Sequence, residues 1–323
     1  MSQFLSKCTA TAMVDAAANL LAGNLVAFPT ETVYGLGSDA CNAEAVARIY
    51  SVKGRPADHP LIVHVASMDA FGDWASDVPE YAISLARDFW PGPMTLVVHR
   101  SELAADFVTG GQDTVGVRIP NHPVALGLLV AFARAGGKGV AAPSANRFGN
   151  VSPTTAKAVC DELGEYMADV DLILDGGACD VGVESTIIDC TRDTPRILRP
   201  GAVTEQMIQE STDLNVLLES TLIDSTPRVS GSLEKHYSPA ARVFLDQTPV
   251  NGQGFIALSS LETPTGVTRL AAPSDIDEFA RDLYTSLRKA DELGLQEVVV
   301  EQPLGGGIGV AIRDRLMRAS KGG

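Results

Sequence analysis

The larger N-terminal part of the chain alternates between short apolar runs and longer segments in which apolar residues recur at helical spacing. Apolar runs that end at glycine, proline or polar residues predict buried strands, at residues 25–28, 61–66, 94–99, 114–120, 139–143, 171–177 and 185–190. The helical spacing predicts helices, at residues 13–23, 43–53, 79–90, 123–135 and 154–164. This alternation predicts an α/β fold in which helices cover a sheet.

The pattern changes in the C-terminal third. Residues 204–219 have helical spacing, and residues 221–241 are rich in serine, threonine, proline and glycine, which is typical of a linker or a long ordered loop. The hydrophobic pattern of the remaining chain predicts strands at 242–245, 254–260 and 297–302 and helices at about 275–293 and 308–320. We therefore expect a large domain at residues 1–205, a linker at 206–241, and a small α/β domain with a three- or four-stranded sheet at 242–323.

Charge limits the class of partner. The chain carries 25 Lys and Arg residues against 40 Asp and Glu residues, a formal net charge of −15, and both halves are acidic. Because neutralisation of phosphates dominates non-specific affinity for nucleic acids, this balance disfavours a sequence-independent DNA or RNA coat. A local basic pocket is still compatible with it.

The cysteines and the apolar runs exclude further classes. Five cysteines are scattered without a CxxC pair, so neither a zinc ribbon nor a disulfide framework is indicated, and a reducing cytoplasm is the simplest interpretation. Asp15 and Asn19 interrupt the first apolar stretch, which disfavours a signal peptide. No run approaches the roughly 18 consecutive apolar residues of a membrane span. We expect a cytoplasmic protein that does not cross a membrane.

Cation-capable side chains are concentrated in one segment, where Lys53, Arg55, His59 and His64 follow one another within a short stretch. A glycine and a proline between them predict a tight turn, and arginine and lysine on a rigid turn suit contact with phosphate. A solvated loop explains the same pattern equally well. His64 by itself is more typical of a buried core histidine, because its neighbours in LIVHV are apolar.

Other polar residues sit at the ends or centres of predicted strands. Arg118 is charged within an apolar strand, so it should face a polar cleft or form an ion pair. Ser144 and Asn146 follow a buried strand, at the sheet edge where ligands bind in open α/β folds. No base stands beside Ser144, so we favour hydrogen bonding over nucleophilic attack. Ser152 suits the N-cap of the helix predicted after it.

Two more segments are weaker candidates. Residues 35–40 match G-x-G-x-x-A, but no strand ends directly before them and no acidic residue follows the next strand, so a plain strand-to-helix turn is favoured over dinucleotide binding. The motif of a P-loop is absent from the sequence. Arg196 and Arg199 precede a Pro-Gly turn, where arginines are usually solvated.

Several of these segments also occur together in one family. The ordered segments FPTETVYGLG, VKGRP, HPLIVHV, WPGPMTLV, VGVRIPNHP, AAPSANRFGNVSPT, GVESTIID and ILRPGAV resemble the YrdC/Sua5 family of threonylcarbamoyl-AMP synthases. The HYSP segment and GIGVAIRDRLMRAS look like the longer, Sua5-type member, although this match is looser. The resemblance implies a YrdC-like, twisted open α/β sheet in a catalytic domain, followed by a smaller Rossmann-like α/β domain.

The resemblance also implies a reaction. L-threonine, bicarbonate or CO2, and ATP would give L-threonylcarbamoyladenylate and diphosphate, for the t6A37 modification of tRNA. Mg2+ would arrive with ATP and not in a carboxylate cage, so no metal ligands are expected in the chain. A nucleotidyltransferase of this kind would hand its product to a tRNA threonylcarbamoyltransferase complex, with at most a weak RNA contact.

The family pattern assigns roles to matching residues. The catalytic pair would be Lys53 and Arg55. The ATP-binding residues would be Arg55, His59, Thr114, Ser144, Asn146, Ser152, Arg199, His236 and Tyr237. The L-threonine-binding residues would be Thr32, His64, Arg118, Ala142 and Ser185. We expect alanine at position 53 or 55 to leave folding nearly intact, because exposed charges contribute little to stability.

The sequence departs from the family pattern at two positions. His59 stands where the family commonly has asparagine, which puts one ATP contact in question. Glu234 makes the linker less basic than usual, so closure over a polyanion would be weaker or differently arranged. Two other functions fit less well: a non-catalytic RNA-binding or ribosome-associated module, against which the net charge argues, and NAD-dependent reduction, against which the position of the acidic residue argues.

Overall fold

A computed structural model describes residues 5–7, 9–218, 227–231 and 236–322. The strands in these residues are β1 (Leu5–Lys7), β2 (Val26–Phe28), β3 (Gly35–Asp39), β4 (Ile62–His64), β5 (Ala75–Asp77), β6 (Met94–Arg100), β7 (Thr114–Arg118), β8 (Val140–Ala141), β9 (Leu172–Asp175), β10 (Thr186–Asp189), β11 (Arg196–Arg199), β12 (Leu217–Leu218), β13 (Arg242–Leu245), β14 (Gly254–Ile256), β15 (Thr268–Ala271) and β16 (Glu297–Val300). The helices are α1 (Ala10–Leu21), α2 (Ala43–Lys53), α3 (Met68–Trp74), α4 (Glu80–Phe89), α5 (Asp106–Thr109), α6 (Pro123–Arg134), α7 (Ala156–Leu163), α8 (Glu205–Thr212), α9 (Ile276–Glu292) and α10 (Ile308–Ser320).

The large domain is built on one mixed sheet. Its strand order is β1-β9-β2-β3-β8-β4-β7-β6-β10-β11-β12, and β5 pairs with β6. β4 runs parallel to β7 and antiparallel to β8, so His64 lies opposite Arg118 in the register and Val63 opposite Ala141. The carboxyl ends of β4 and β7 therefore meet at one edge, which is where ligands bind in open α/β sheets.

Both faces of this sheet are buried. Alternate residues along each strand point to opposite faces, and Phe28 and Val140 pack with α1 and α6, whereas Ala27 and Ala141 pack in the larger cluster on the other face. Burial on both sides explains why these strands appear in the sequence as continuous apolar runs. The α/β class predicted from the alternation is confirmed.

The small domain is a four-stranded parallel sheet, in the order β13-β16-β14-β15, with α9 and α10 packed against it. Its core is continuous with the large domain, because Val33, Val151 and Val183 share a buried cluster with Phe279 and Ile312. No helix in the described ranges is long and apolar enough to span a membrane. The division of the chain at residues 205 and 242 stays a prediction.

The predicted strands and helices are all present with shifted ends, but several elements were not predicted. Residues 35–39 form β3 and not a turn, and residues 196–199 form β11. Glycine disfavours strands in sequence patterns, yet a Cβ at Gly37 would lie 2.8 Å from Phe28 and Val140. The glycine is therefore needed for close packing inside the sheet. The short elements α3, α5, β5, β12 and β15 also escaped the pattern.

Two expected helix ends are corrected. α8 ends at Thr212 and not near residue 219, because Asp213 takes a left-handed conformation that stops the helix. The N-cap of α7 is Thr155, whose side chain accepts a hydrogen bond from the Ala158 amide, so Ser152 does not have the predicted capping role.

The four cysteines in the described residues form no disulfide: Cys41, Cys160, Cys179 and Cys190. Two features named in the sequence analysis lie outside the described residues, namely Cys8 and Glu234 with its predicted effect on the linker.

Candidate active site

A pocket lies where β4 and β7 end, beside the segment that precedes β10, and its space of about 460 Å³ includes the solvent at its mouth. The side chains and backbone that line it come from the large domain and from the linker: Thr30, Thr32, Val33, Gly35, Ile62, His64, Arg118, Ala142, Pro143, Ser144, Glu184, Ser185, Arg199, Ser230, His236 and Tyr237. Residues far apart in sequence are therefore brought to one edge of the sheet. All five residues predicted to bind threonine, and four of those predicted to bind ATP, line this pocket.

Arg118 is held at the centre of one wall. Its Nη1 donates to the Thr32 hydroxyl at 3.0 Å, and its Nε donates to the Gly92 carbonyl at 3.3 Å. Its Nη2 lies 2.7 Å from the Glu31 carboxylate, and both side chains are buried. That contact lacks hydrogen-bond geometry, and Nη2 has no hydrogen-bond acceptor among the described residues. Both sequence-based interpretations of Arg118 are thus confirmed, since it forms an ion pair and also faces a polar cleft.

His64 lies beside Arg118 and is uncharged. Burial, with Arg118 adding to it, lowers the pKa of His64 to about 3. Its ring packs edge-on against Phe28, and its Nδ1 is buried without a hydrogen-bond partner in the described part of the chain. A neutral imidazole nitrogen of this kind can accept a hydrogen bond from an amine or a hydroxyl group.

Ser185 and Arg199 form another wall of the pocket. Arg199 donates from Nε and Nη2 to the Ser185 carbonyl, at 3.1 and 3.0 Å, and from Nη2 to the Ser185 hydroxyl at 3.1 Å. Its Nη1 donates to the carbonyl of Ser230, in the linker, at 2.9 Å. Arg196 and Arg199 are both buried, so the expectation that arginines before this turn are solvated was wrong. The turn follows β11, which is an internal strand of the sheet, between β10 and β12.

Lys53 and Arg55 lie behind the pocket and do not line it. Lys53 ends α2 and donates to the Ser144 and Asn146 carbonyls, while Gly54, with φ of 62°, turns the chain. Burial, followed by the charge of Arg55, lowers the pKa of Lys53 well below its ordinary value. Burial also lowers the pKa of Arg55 to about 10. The expectation that these are exposed charges was wrong, since Lys53 is 2% and Arg55 8% exposed.

A second, more apolar pocket adjoins the first and shares Ile62 and Ser230 with it. It has about 300 Å³ of empty volume, and Thr114, Val97 and Ile187 line it. Val229, from the linker, packs on Val97 and Ile187 in a small apolar cluster. Thr114 therefore lies beside an apolar slot next to the main pocket, and not in the main pocket itself.

The remaining predicted residues contact the segments around the pocket. Asn146 donates to the Arg147 and Asn150 carbonyls at 2.7 and 2.8 Å, so its side chain holds its own loop. His59 packs edge-on against Phe148 with ring centroids 5.3 Å apart. Ser152 donates to Glu184 at 2.6 Å. None of these three lines the main pocket.

Two carboxylates, Thr30 and part of the linker belong to this site but were not predicted from the sequence. Glu31 pairs with Arg118, Glu184 lines the pocket, and the Ser230 hydroxyl lies 3.3 Å from Arg55 Nη1. A signal existed for the carboxylates, since each is a charge within a segment of small and apolar residues, FPTETVYG and GVESTIID. Ser230 carried no such signal, because serines are common in linkers.

Glu184 joins the two domains. Its Oε1 accepts a hydrogen bond from Ser152, and its Oε2 accepts from Tyr284 and Arg315 of the small domain, both at 2.8 Å. Burial opposes its ionisation, yet the charges of Arg315 and Arg199 and the hydrogen bonds hold the pKa of Glu184 at about 2. The carboxylate is therefore ionised throughout the neutral range.

This shift predicts acid sensitivity. The folded-state pKa of Glu184, about 2, lies below its ordinary value of 4.5, so the stabilisation is fully present above that ordinary value and is lost as pH falls toward 2. Glu184→Gln should therefore make the free energy of unfolding depend less on pH between about pH 5 and about pH 2. Urea denaturation at several pH values measures this dependence. Glu262→Gln, on an exposed residue, is the control and should leave the slope unchanged. Equal slopes for wild type and Glu184→Gln would contradict this.

The described residues contain no group of three or more His, Cys, Asp or Glu side chains placed to hold a metal ion. The carboxylates of Glu31 and Glu184, which lie beside the pocket, both form ion pairs with arginines. The donor set in this part of the chain therefore does not suit a resident divalent cation, which prefers free carboxylate and carbonyl oxygens.

Comparison with known proteins places this chain in a family. A model of the Sua5/YciO/YrdC family, described as "Telomere recombination", matches residues 18–201, and a model described as "Threonylcarbamoyl-AMP synthase, C-terminal domain" matches residues 203–321. The chain is 38% identical to the threonylcarbamoyl-AMP synthase of Pyrococcus abyssi, over 92% of this chain and 91% of that one. It is 37% identical to that of Bacillus subtilis, over 96% and 93%.

A solved structure agrees with these matches over the whole fold. The crystal structure of P. abyssi Sua5 complexed with L-threonine superimposes with a TM-score of 0.88, at 35% identity, and covers 98% of this chain and 97% of that one. The fold is thus shared with that structure over nearly the whole length of the chain. The chain belongs to the threonylcarbamoyl-AMP synthase family, in its longer, Sua5-type form with a second α/β domain.

Proposed function

We propose that this chain synthesises L-threonylcarbamoyladenylate from L-threonine, bicarbonate or CO2, and ATP, with release of diphosphate, and that the reaction takes place in the main pocket. The observation that carries the proposal is that Thr32, His64, Arg118 and Ser185 line the same pocket as Arg199. A cation, a neutral imidazole and hydroxyl groups are what a zwitterionic amino acid with a hydroxyl side chain requires.

In this proposal threonine lies between Arg118 and Ser185. Its carboxylate would accept from Arg118 Nη2, the buried donor without a hydrogen-bond acceptor in the described chain. Its amine or hydroxyl would donate to the Nδ1 of His64, which is neutral above a pKa of about 3. The backbone at Ala142 and the hydroxyl groups of Thr32 and Ser185 complete a small polar cup. Charge complementarity to a carboxylate favours an amino acid over a neutral metabolite.

The nucleotide would extend from the main pocket into the apolar slot. Thr114, Val97 and Ile187 form a surface that suits a flat base. Ser144, Arg199, His236 and Tyr237 would face the ribose and phosphates, with Lys53, Arg55, Asn146 and Ser152 close behind them. Arg55 would reach the phosphates once its bonds to Ser230 and the Pro60 carbonyl open. The role of His59 as an ATP contact is the least supported, because its ring packs on Phe148.

The chemistry follows from bringing two anions together. The threonine amine attacks CO2 and releases one proton, which gives the carbamate. A carbamate oxygen then attacks the α-phosphorus of ATP, the bond from that phosphorus to the bridging oxygen breaks, and diphosphate leaves. Positioning and charge neutralisation by Arg55, Arg118 and Arg199 supply the catalysis, and no protein nucleophile is needed.

Mg2+ enters this proposal as an ion carried by ATP, since the paired carboxylates do not form a cage for it. The chain would then act as a nucleotidyltransferase in the cytoplasm. The mixed anhydride that it makes is reactive, so an enzyme complex that transfers the threonylcarbamoyl group to tRNA must consume it. The acidic surface argues that any RNA contact of this chain is weak.

The test is diphosphate release from Mg-ATP in the presence of L-threonine and bicarbonate, with each component omitted in turn. We expect release only when all three are present, and less release with serine in place of threonine. Release with ATP alone would contradict the proposal and indicate a nucleotide hydrolase. No release in any mixture, together with salt-dependent RNA affinity, would favour the RNA-binding alternative.

A further inference from the structure

Arg315 of the small domain is buried at the domain interface, although it lies outside the main pocket. It is 1% exposed. Its Nη1 forms an ion pair with Asp314 of the same helix, and its other two nitrogens face the large domain. Its Nε donates to Glu184 at 2.8 Å, and its Nη2 donates to the Pro200 carbonyl at 3.0 Å. Glu184 immediately precedes Ser185, and Pro200 immediately follows Arg199. One side chain therefore fixes both segments that carry the wall formed by Ser185 and Arg199.

The same side chain also reaches the linker. The guanidinium carbon of Arg315 lies 5.2 Å from the ring centroid of Tyr237, within the range of a cation–π interaction. Tyr237 stacks on Tyr284, at 5.7 Å between centroids, and Tyr284 donates to the same Glu184 oxygen as Arg315. Tyr237 has a φ of 61°, which is uncommon for a residue with a side chain and is stabilised only by its surroundings.

We propose that Arg315 is a positioning residue for the reaction, which sets the place of Ser185, Arg199 and Tyr237 from the small domain. This inference rests on the proposed function of the main pocket. It makes the small domain an integral part of the active site, because the wall that faces both substrates is held from α10. A planar guanidinium is suited to this task, since it donates in several fixed directions at once, which an ammonium group does not do.

The chain offers a matched control on the same helix. Arg313 also donates to two backbone carbonyls, those of Pro303 and Gly305, at 2.6 and 2.7 Å, but both lie within the small domain. Both Arg315→Met and Arg313→Met remove a guanidinium that donates to backbone carbonyls, and Arg315→Met also removes the ion pairs with Glu184 and Asp314. Only the first should affect the pocket.

We expect Arg315→Met to raise the KM for both ATP and threonine at least tenfold and to lower kcat, because Arg199 and Ser185 shift together. Arg315→Lys should lie in between, since it retains the charge beside Glu184 but not the bond to Pro200. Removing one partner of a buried ion pair also destabilises the fold. For this reason Arg315→Met/Glu184→Gln, in which no buried carboxylate is left unpaired, is measured as well, at a temperature where circular dichroism shows it folded.

A second readout does not depend on catalysis. Amide hydrogen exchange across residues 185–201, in the protein without substrates, should be at least tenfold faster in Arg315→Met and unchanged in Arg313→Met. If wild type turns over and the folded double variant matches it in kcat, both KM values and exchange, the positioning role is overturned and the proposed function stands. If wild type shows no turnover, the proposed function fails, and unchanged exchange in Arg315→Met would overturn the structural part of the inference separately.

Discussion

Replacing Arg118 with alanine is expected to raise the KM for threonine by about 30- to 1000-fold while the KM for ATP changes far less. The buried Nη2 of Arg118 lacks a hydrogen-bond acceptor in the described structure and is the donor that we assign to the threonine carboxylate. Truncation of one member of a buried charge pair costs about 2–4 kcal/mol, which corresponds to that range. Steady-state diphosphate release at varied threonine and ATP measures both constants.

The control for this variant addresses the partner of Arg118. Alanine at position 118 leaves the buried carboxylate of Glu31 without its cation, so the protein also loses stability. In Arg118→Ala/Glu31→Gln that carboxylate is gone, and stability should recover while the KM for threonine stays high. If the double variant recovers threonine affinity, or if both substrates are affected equally, Arg118 is not the carboxylate ligand.

The second large effect is expected at Lys53. Lys53→Met should lower kcat/KM for ATP by about 100- to 1000-fold, the size found when one preorganised donor is removed from an active site. In the structure the Lys53 side chain donates to the Ser144 and Asn146 carbonyls. It therefore either fixes the loop at residues 144–146 or moves away from these carbonyls and contacts a phosphate of ATP. Turnover close to that of wild type would rule out both roles.

The same substitution should also reduce stability, in contrast to the expectation from sequence. A buried acceptor that loses its hydrogen-bond partner costs about 1–3 kcal/mol, and Lys53 holds the Ser144 and Asn146 carbonyls from a buried position. Thermal unfolding of Lys53→Met is therefore measured beside Lys157→Met, in which an exposed lysine that pairs with Asp161 is lost. The exposed variant should unfold at nearly the temperature of wild type.

How far the sequence predicts this site depends on the kind of residue. Arg118 could be predicted because a charge in an apolar strand requires a partner, and the structure supplies both an ion pair and a polar cleft. Arg199 could not be predicted from its local sequence, because a turn after two arginines resembles a solvated surface. Only the pairing of β10 with β11 buries it.

Burial accounts for the other differences. Lys53 is the last residue of a helix and Arg55 follows it, a position that in sequence indicates solvent. The loop at residues 144–146 and the linker at Ser230 nevertheless cover these two side chains. Gly37 argues locally against a strand, but the approach of Phe28 and Val140 requires a residue without a side chain there. In each case the deciding neighbour lies far away in the sequence.

The sequence by itself determined the α/β class, most of the helices and strands that bury apolar residues, the family, and most of the polar residues around the pocket. These follow from local periodicity and from short ordered motifs, which neighbouring residues define. Only the tertiary structure decided which of those residues face the pocket, which stand behind it, and that Glu184 and Arg315 join the two domains. Burial, ion pairing and pKa depend on contacts between distant segments, and such contacts are set when the chain packs.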